Sequence, residues 1–204
     1  MPKVLIDANI LYSRTLRDWF AMLALRSGEP LFRLRWTEDI MCETLFHLRK
    51  ENPFWDEEQI GGVRRRIEQL FGNSAQIKGY PIDADLPYTD PHDAHLHAAA
   101  VHGDVQFVVS NDAKFGKFVA MQDEEFGYEH YTADEFLILV DDSSSPTVRE
   151  VLLEQIEYFK KRDGSFNLVM MLRNAGAPKF AGRIRRYLTS PAVARHLSRD
   201  ASAR

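Results

Sequence analysis

Cysteine is almost missing from this chain. The lone Cys42 excludes an internal disulfide framework and a zinc cage built from thiolates. No second thiol and no His–Asn pattern accompanies it, so it reads as a small core residue rather than a nucleophile. Long apolar runs are missing too: nothing approaches the roughly 20 residues that a membrane-spanning helix needs. There is no phosphate-binding glycine loop of the Walker or dinucleotide type, no internal repeat and no long low-complexity stretch. The start, Met1-Pro2-Lys3-Val4-Leu5-Ile6-Asp7, has too short an apolar stretch for a signal peptide, and an acid ends it. Together these absences point to a cytoplasmic protein.

What is present suits one α/β domain with a modest appendage. The chain has 204 residues, of which 45% are hydrophobic and 27% charged, the ordinary balance of a soluble globular protein. Its net charge of −4 hides an asymmetry. Residues 178–204 carry Lys179, Arg183, Arg185, Arg186, Arg195, Arg199 and Arg204 against the single acid Asp200, a local +6 that leaves −10 on the first 177 residues. A basic end on an acidic body can bind polyanions, and it can equally be a solvated terminus.

Residues 3–6 form a short apolar run ended by Asp7, the pattern of a buried parallel strand. Further strands are expected at 77–80, 106–109 and 128–131. Ser13 can cap a helix over 14–27 that Gly28 ends. Thr37 can cap a second, with Ile40, Met41, Thr44, Leu45 and Leu48 on its inner face and Pro53 just past its end. A third helix covers 56–71 and stops at Gly72. Asp90-Pro91-His92-Asp93 opens a helix that reaches about His102 and ends at Gly103: Asp90 is a good N-cap, Pro91 suits the first turn, and Asp93 sits near the positive helix end. Helices over 113–121 and 133–140 follow, the latter opened by the capping box Thr132-Ala133-Asp134-Glu135.

The polar stretch Asp141-Asp142-Ser143-Ser144-Ser145 before Pro146 is the best boundary in the chain. Beyond it only helices are expected, over 146–161, 166–174 and 178–188. The reading is therefore an α/β domain over residues 1–141, a linker at 142–145, a helical extension over 146–190 and a basic, flexible tail over 191–204. Strands alternating with helices, then helices alone, indicate a central parallel sheet covered on both faces plus the extension.

In such sheets, sites form at the carboxyl ends of the strands. Asp7 and Asp112 each follow a strand-like run. Glu43 borders the inner face of its helix, and Asp93 lies in the first turn of its own. Either strand-end aspartate alone is most simply a cap or turn residue; two of them opening toward one sheet edge are harder to dismiss. Four converging carboxylates would raise one another's pKa unless a cation neutralised them. All-oxygen ligation favours a hard ion such as Mg²⁺ or Mn²⁺, which suits phosphate chemistry.

Four blocks carry a resemblance. They are Val4-Leu5-Ile6-Asp7-Ala8-Asn9-Ile10-Leu11; Trp36-Thr37-Glu38-Asp39-Ile40-Met41-Cys42-Glu43; Asp90-Pro91-His92-Asp93-Ala94-His95-Leu96-His97-Ala98-Ala99-Ala100; and Phe107-Val108-Val109-Ser110-Asn111-Asp112-Ala113-Lys114-Phe115. In this order and at these separations the chain resembles the PIN-domain ribonucleases, and within them the VapC toxins of bacterial toxin–antitoxin pairs, over about residues 1–140. The resemblance implies a three-layer α/β/α, Rossmann-like fold. It also implies that Asp7, Glu43, Asp93 and Asp112 are the catalytic and metal-binding acids. Asp90 competes with Asp93 for the third place. Asp93 is preferred because it precedes the Ala-rich helix as the family's acid does, which leaves Asp90 as a cap, a supporting group or an additional ligand. Asn9 and Ser110 match positions that help orient the acids.

The implied activity is endoribonucleolytic. One or two Mg²⁺ or Mn²⁺ ions activate a water that attacks the phosphodiester in line, leaving a 5′-phosphate and a 3′-hydroxyl, with a cognate antitoxin protein as partner. Homodimers are common in the family. Lys114 and Arg14 are candidate RNA phosphate contacts, and Lys117 and Arg17 have a weaker claim of the same kind. The alternatives are a non-catalytic PIN-type RNA-binding or scaffold module and an RNA-maturation or flap nuclease. The histidines His92, His95, His97 and His102 crowd one helix. They suit solvent or a contact of His97 with Asp93 better than a metal site, and the all-helical His–Asp phosphohydrolases lack the strand-end acids.

Overall fold

A computed structural model describes residues 1–25, 30–86, 88–121, 126–162, 166–191 and 193. The described chain divides into two compact units, Met1–Ala133 and Asp134–Arg204.

The first unit is built on a four-stranded sheet of order β2-β1-β3-β4, with β1 (Lys3–Ile6), β2 (Arg33–Arg35), β3 (Phe107–Val109) and β4 (Glu129–Tyr131). All three strand pairings are parallel. Val4, Leu5, Ile6, Val108 and Val109 are fully buried, as strands covered on both faces require. Helices α1 (Ala8–Leu11), α2 (Arg14–Leu25), α3 (Glu38–Glu51), α4 (Glu57–Phe71), α5 (Ala94–His102) and α6 (Ala113–Ala120) join them. The architecture is the expected three-layer α/β/α fold around a central parallel sheet.

Local chemistry explains most boundaries. Thr37 caps α3 by accepting Ile40 N at 3.1 Å, and Thr44 in its interior satisfies its buried hydroxyl on Ile40 O at 2.7 Å. Asp56 and Gln59 form a reciprocal capping box on α4, and Gly72 ends that helix at φ +74°. Gly103 ends α5 for a different reason. Its φ is ordinary, but a Cβ there would run into Ile77 Cδ1 and the Ala99 carbonyl.

Three readings of this unit are corrected. The strand β2 was not foreseen. Phe32-Arg33-Leu34-Arg35-Trp36 alternates in burial, with 32, 34 and 36 inside and Arg33 exposed, as an edge strand does. The strand expected at 77–80 is absent, and the pairing there is a single bridge between Trp36 and Gln76. Cys42 is exposed rather than a core residue, because the 3.6-residue period of α3 turns Ile40, Met41, Thr44 and Leu48 inward and leaves Cys42 outside. The expected helix end at Gly28 lies outside the described residues.

The second unit is helical: α7 (Ala133–Ser143), α8 (Ser145–Arg162), α9 (Leu168–Asn174) and α10 (Pro178–Leu188). Its apolar interior includes Val148, Val151, Leu152, Ile156, Leu168, Leu172, Phe180 and Ile184. The break between units falls after Ala133, so the stretch read as a linker at 142–145 is the junction of α7 and α8 within the second unit. The reason is Asp141. Its side chain is wholly buried and paired with Arg183, which holds the polar stretch inside the helical unit. α10 has no side-chain cap of its own. Asp134 on α7 supplies one, accepting Lys179 N at 3.0 Å and Phe180 N at 2.8 Å. Most of the tail over 191–204 lies outside the described residues.

Candidate metal centre

In a parallel sheet every strand delivers its carboxyl end to the same edge. Asp7 follows β1, Ser110-Asn111-Asp112 follow β3, and Thr37 follows β2 to start the helix that carries Glu43. The Asp7 amide donates to Val109 O at 3.0 Å, one step beyond the strand pairing, so β1 and β3 end in register.

A short polar network joins those two ends. Ser110 Oγ donates to Asp7 Oδ2 at 2.6 Å, and the same hydroxyl oxygen accepts the Asp112 amide at 3.0 Å and Asn9 Nδ2 at 3.1 Å. Asn9 Nδ2 also donates to Asp7 Oδ2, while Asn9 Oδ1 accepts the Asn111 amide at 3.0 Å. Ala8 N donates to Asp7 Oδ1 at 2.6 Å. Asn9 and Ser110 thus lie where a group orienting Asp7 must lie. Asp112 caps α6, its Oδ1 accepting Lys114 N at 2.6 Å and Phe115 N at 3.3 Å.

The acids act on one another through space. Asp7 is 7% exposed. Burial first, opposed by the Ser110 hydrogen bond, and then Glu43 and Asp93 push its carboxyl up to about 7. Asp93 is raised to about 6, by burial first and then by Asp112, Asp90 and Glu43, with Lys114 opposing. Asp93 Oδ2 is shut away from solvent and has no hydrogen-bond partner. Glu43 lies beside two imidazoles, its Oε1 3.5 Å from His47 Nε2 and its Oε2 3.7 Å from His95 Nε2.

Among the described residues, no three carboxylate, histidine or cysteine side chains are grouped closely enough to form a ready metal cage. The donor set still fits a hard divalent ion. It offers carboxylate oxygens on four separate elements, two of them held at a proton affinity well above normal, and one oxygen that is buried and unsatisfied. A cation bound among them would offset these costs.

The chain belongs to the PIN-domain family. The family model described as "PIN domain" matches residues 3–114, more than half of the 204. No curated protein and no solved structure matches the chain. PIN domains are usually nucleases and typically bind divalent metals, and the matched span contains Asp7, Glu43, Asp93 and Asp112. No helix among the described residues is long and apolar enough to cross a membrane.

The remaining PIN-domain candidates are placed as follows. Asp90 caps the 3-10 turn Pro91–Asp93 by accepting His92 N at 3.1 Å, and its other oxygen takes Lys114 Nζ at 2.8 Å. Asp90 is therefore engaged where Asp93 has an oxygen to spare, and Lys114, read as a phosphate contact, is ion-paired at the rim. Arg14 Nε lies 3.7 Å from Asp18 Oδ2. Arg17 cannot reach a phosphate, because it is buried and donates to Leu11 O at 2.7 Å. His97 does not serve Asp93. It is buried among Tyr88, Phe118, Phe126 and Tyr128, with Nδ1 2.9 Å from the Tyr128 hydroxyl. The sequence reading missed His47 and Tyr12, whose rings lie 5.2 Å apart. The i, i+4 spacing of Glu43 and His47 on one helix was the available signal.

Proposed function

We propose that this PIN domain is a Mg²⁺- or Mn²⁺-dependent endoribonuclease that hydrolyses RNA phosphodiester bonds, and that it acts as the toxin of a toxin–antitoxin pair of the VapC kind. One observation carries the nuclease reading. Burial first and neighbouring acids second raise both carboxyls, with Asp112, Asp90 and Glu43 acting on Asp93 and with Glu43 and Asp93 acting on Asp7, and Asp93 Oδ2 is buried without a partner.

In this reading Asp7, Glu43, Asp93 and Asp112 hold the ion. A divalent ion bound there supplies a Lewis acid that polarises the scissile phosphoryl group and activates water for attack. Ser110 and Asn9 fix the direction of the Asp7 carboxylate, and the α6 backbone amides fix that of Asp112. Asp90 holds the Lys114 ammonium at the rim, 62% exposed, where it can turn to a neighbouring phosphate. No side-chain nucleophile is required. The antitoxin would be a protein that covers the acidic edge or inserts a basic side chain into it; the family likeness supports this part.

The test incubates the purified full chain with total RNA and Mn²⁺ or Mg²⁺, with and without EDTA, beside Asp112→Asn. Cleavage is expected to stop with EDTA and to fall at least roughly 100-fold in the variant, since even outer supports of a metal site contribute 10- to 100-fold. Cleavage that survives both would sink the mechanism. Growth arrest on induction in a bacterial host, relieved by the product of an adjacent gene, is expected of the toxin; harmless overexpression would remove that part alone.

A further inference from the structure

Beyond the acids lies a surface that the nuclease reading does not use. Along the outer side of α3, Glu43 is followed by Phe46 and His47 one turn on and by Lys50 after two turns. Positions i, i+3, i+4 and i+7 share one helical face. Phe46 is 63% exposed, so its ring is open to a ligand. Its ring meets His47 edge-on at 5.6 Å, and His47 in turn leans on Tyr12 at 5.2 Å. Tyr12, the residue that ends α1, brings this ladder back to the acids. Burial, then Glu51, then Asp7 and Glu43 raise its phenol above the ordinary value. Lys50 is exposed and has no ionic partner among the described residues. Arg49, beside it, donates instead to the Trp55 carbonyl.

We propose that Tyr12, His47, Phe46 and Lys50 form a track for single-stranded RNA leading away from the acidic centre, with an unpaired base stacked on Phe46 and a following phosphate on Lys50. The proposal rests on the nuclease reading and extends it, since it assigns substrate contacts to residues outside the four acids. Two observations favour nucleic acid over a protein occupant. The strip is continuous with the carboxylates through the His47–Glu43 contact of 3.5 Å. It sets a row of aromatic rings beside an exposed cation, Lys50, a combination that suits stacked bases joined by phosphates. Glu51, whose charge acts on the Tyr12 phenol, disfavours a phosphate beside that residue. Duplex RNA keeps its bases stacked on one another and offers none to Phe46.

The experiment uses the full chain and a 5′-fluorescein-labelled oligouridylate, which holds little structure of its own, beside a labelled RNA duplex. Anisotropy is read in EDTA, so that binding is separated from cleavage, and KM and kcat are read in Mn²⁺. Phe46→Ala is expected to weaken single-strand binding roughly tenfold and to raise KM with kcat little changed, while Phe46→Trp restores both. Lys50→Ala is expected to weaken binding less and to flatten its salt dependence. Weak duplex binding that ignores Phe46 completes the expected result.

Circular dichroism shows whether each variant is folded, and Phe46 is exposed enough that folding should not suffer. Unchanged affinity and KM in Phe46→Ala, in an enzyme that cleaves with Mn²⁺, would overturn the track and leave the nuclease standing. Phe46-dependent RNA binding without metal-dependent cleavage would do the reverse. No RNA binding by the wild type, or loss only of antitoxin binding in Phe46→Ala, overturns the track.

Discussion

Each unit of this chain buries carboxylates, and the two units treat them in opposite ways. In the second unit Asp141 is fully buried, yet it accepts Arg183 Nη1 at 2.9 Å and the Tyr187 hydroxyl at 2.6 Å, while Asp134 takes two backbone amides of α10. Each has its own donors, and Asp141 has a permanent cation. In the first unit Asp7 has neutral donors only, and Asp93 leaves one oxygen bare while facing other acids. The same residue type is a structural pin in one place and an unbalanced charge in the other. Burial alone therefore does not mark a functional acid. Burial without a cation, among other acids, is the combination that points to one.

Three measurements can break this contrast, and the smallest effect comes last. Removing a pin should cost the fold heavily. Asp141→Ala is expected to destabilise by about 3 kcal/mol, because Tyr187 and Arg183 lose a buried partner, and to lower Tm by roughly 10 °C. A loss of a degree or less would mean that the network contributes little.

The unbalanced charge should instead give a pH signature. The Asp7 carboxyl is raised from 3.8 to about 7, so the folded state holds its proton more tightly than the unfolded state does. That preference is complete below the unfolded value and disappears as pH rises through the folded one. The metal-stripped protein should lose up to about 4 kcal/mol of stability from this group between pH 4 and pH 8. Mn²⁺ should restore it increasingly toward pH 8, and Asp7→Asn should flatten the metal-free profile. A wild-type profile no steeper than that of Asp7→Asn would refute the assignment.

The smallest effect has the opposite sign to the first. Asp93→Asn should stabilise the metal-stripped protein at pH 8 by about 1 kcal/mol, once solvent screening of this half-buried group is allowed for. In thermal melts it should also respond less to Mn²⁺ than the wild type does. Destabilisation would place Asp93 among the pins.

Much of the fold could be read from residue pattern, and the exceptions have physical causes. The strand over 3–6 and the helix over 178–188 match their structural bounds, because an acid ends one and a proline starts the other. The caps Thr37 and Asp90 act as their side chains dictate. The strand β2 was hidden because three residues of alternating Arg and Leu look like surface, and only their neighbours Phe32 and Trp36, both buried, reveal the period. The unit boundary was misplaced because five polar residues suggest a loop until Arg183, some forty positions away, is seen to neutralise Asp141. At the centre, strand ends pointed to Asp7 and Asp112 directly. The preference of Lys114 for Asp90 and of His97 for Tyr128 depends on long-range placement that no local spacing encodes.

The Ser110 hydroxyl has one hydrogen to give. Two N–H groups already point at its oxygen, so that hydrogen goes to Asp7. Every described group that hydrogen-bonds the Asp7 side chain is then a giver of protons, and none can receive one. A carboxylic acid formed there would find no taker for its own O–H. The wiring is one-way, and it matches an electron-pair acceptor that brings no hydrogen of its own.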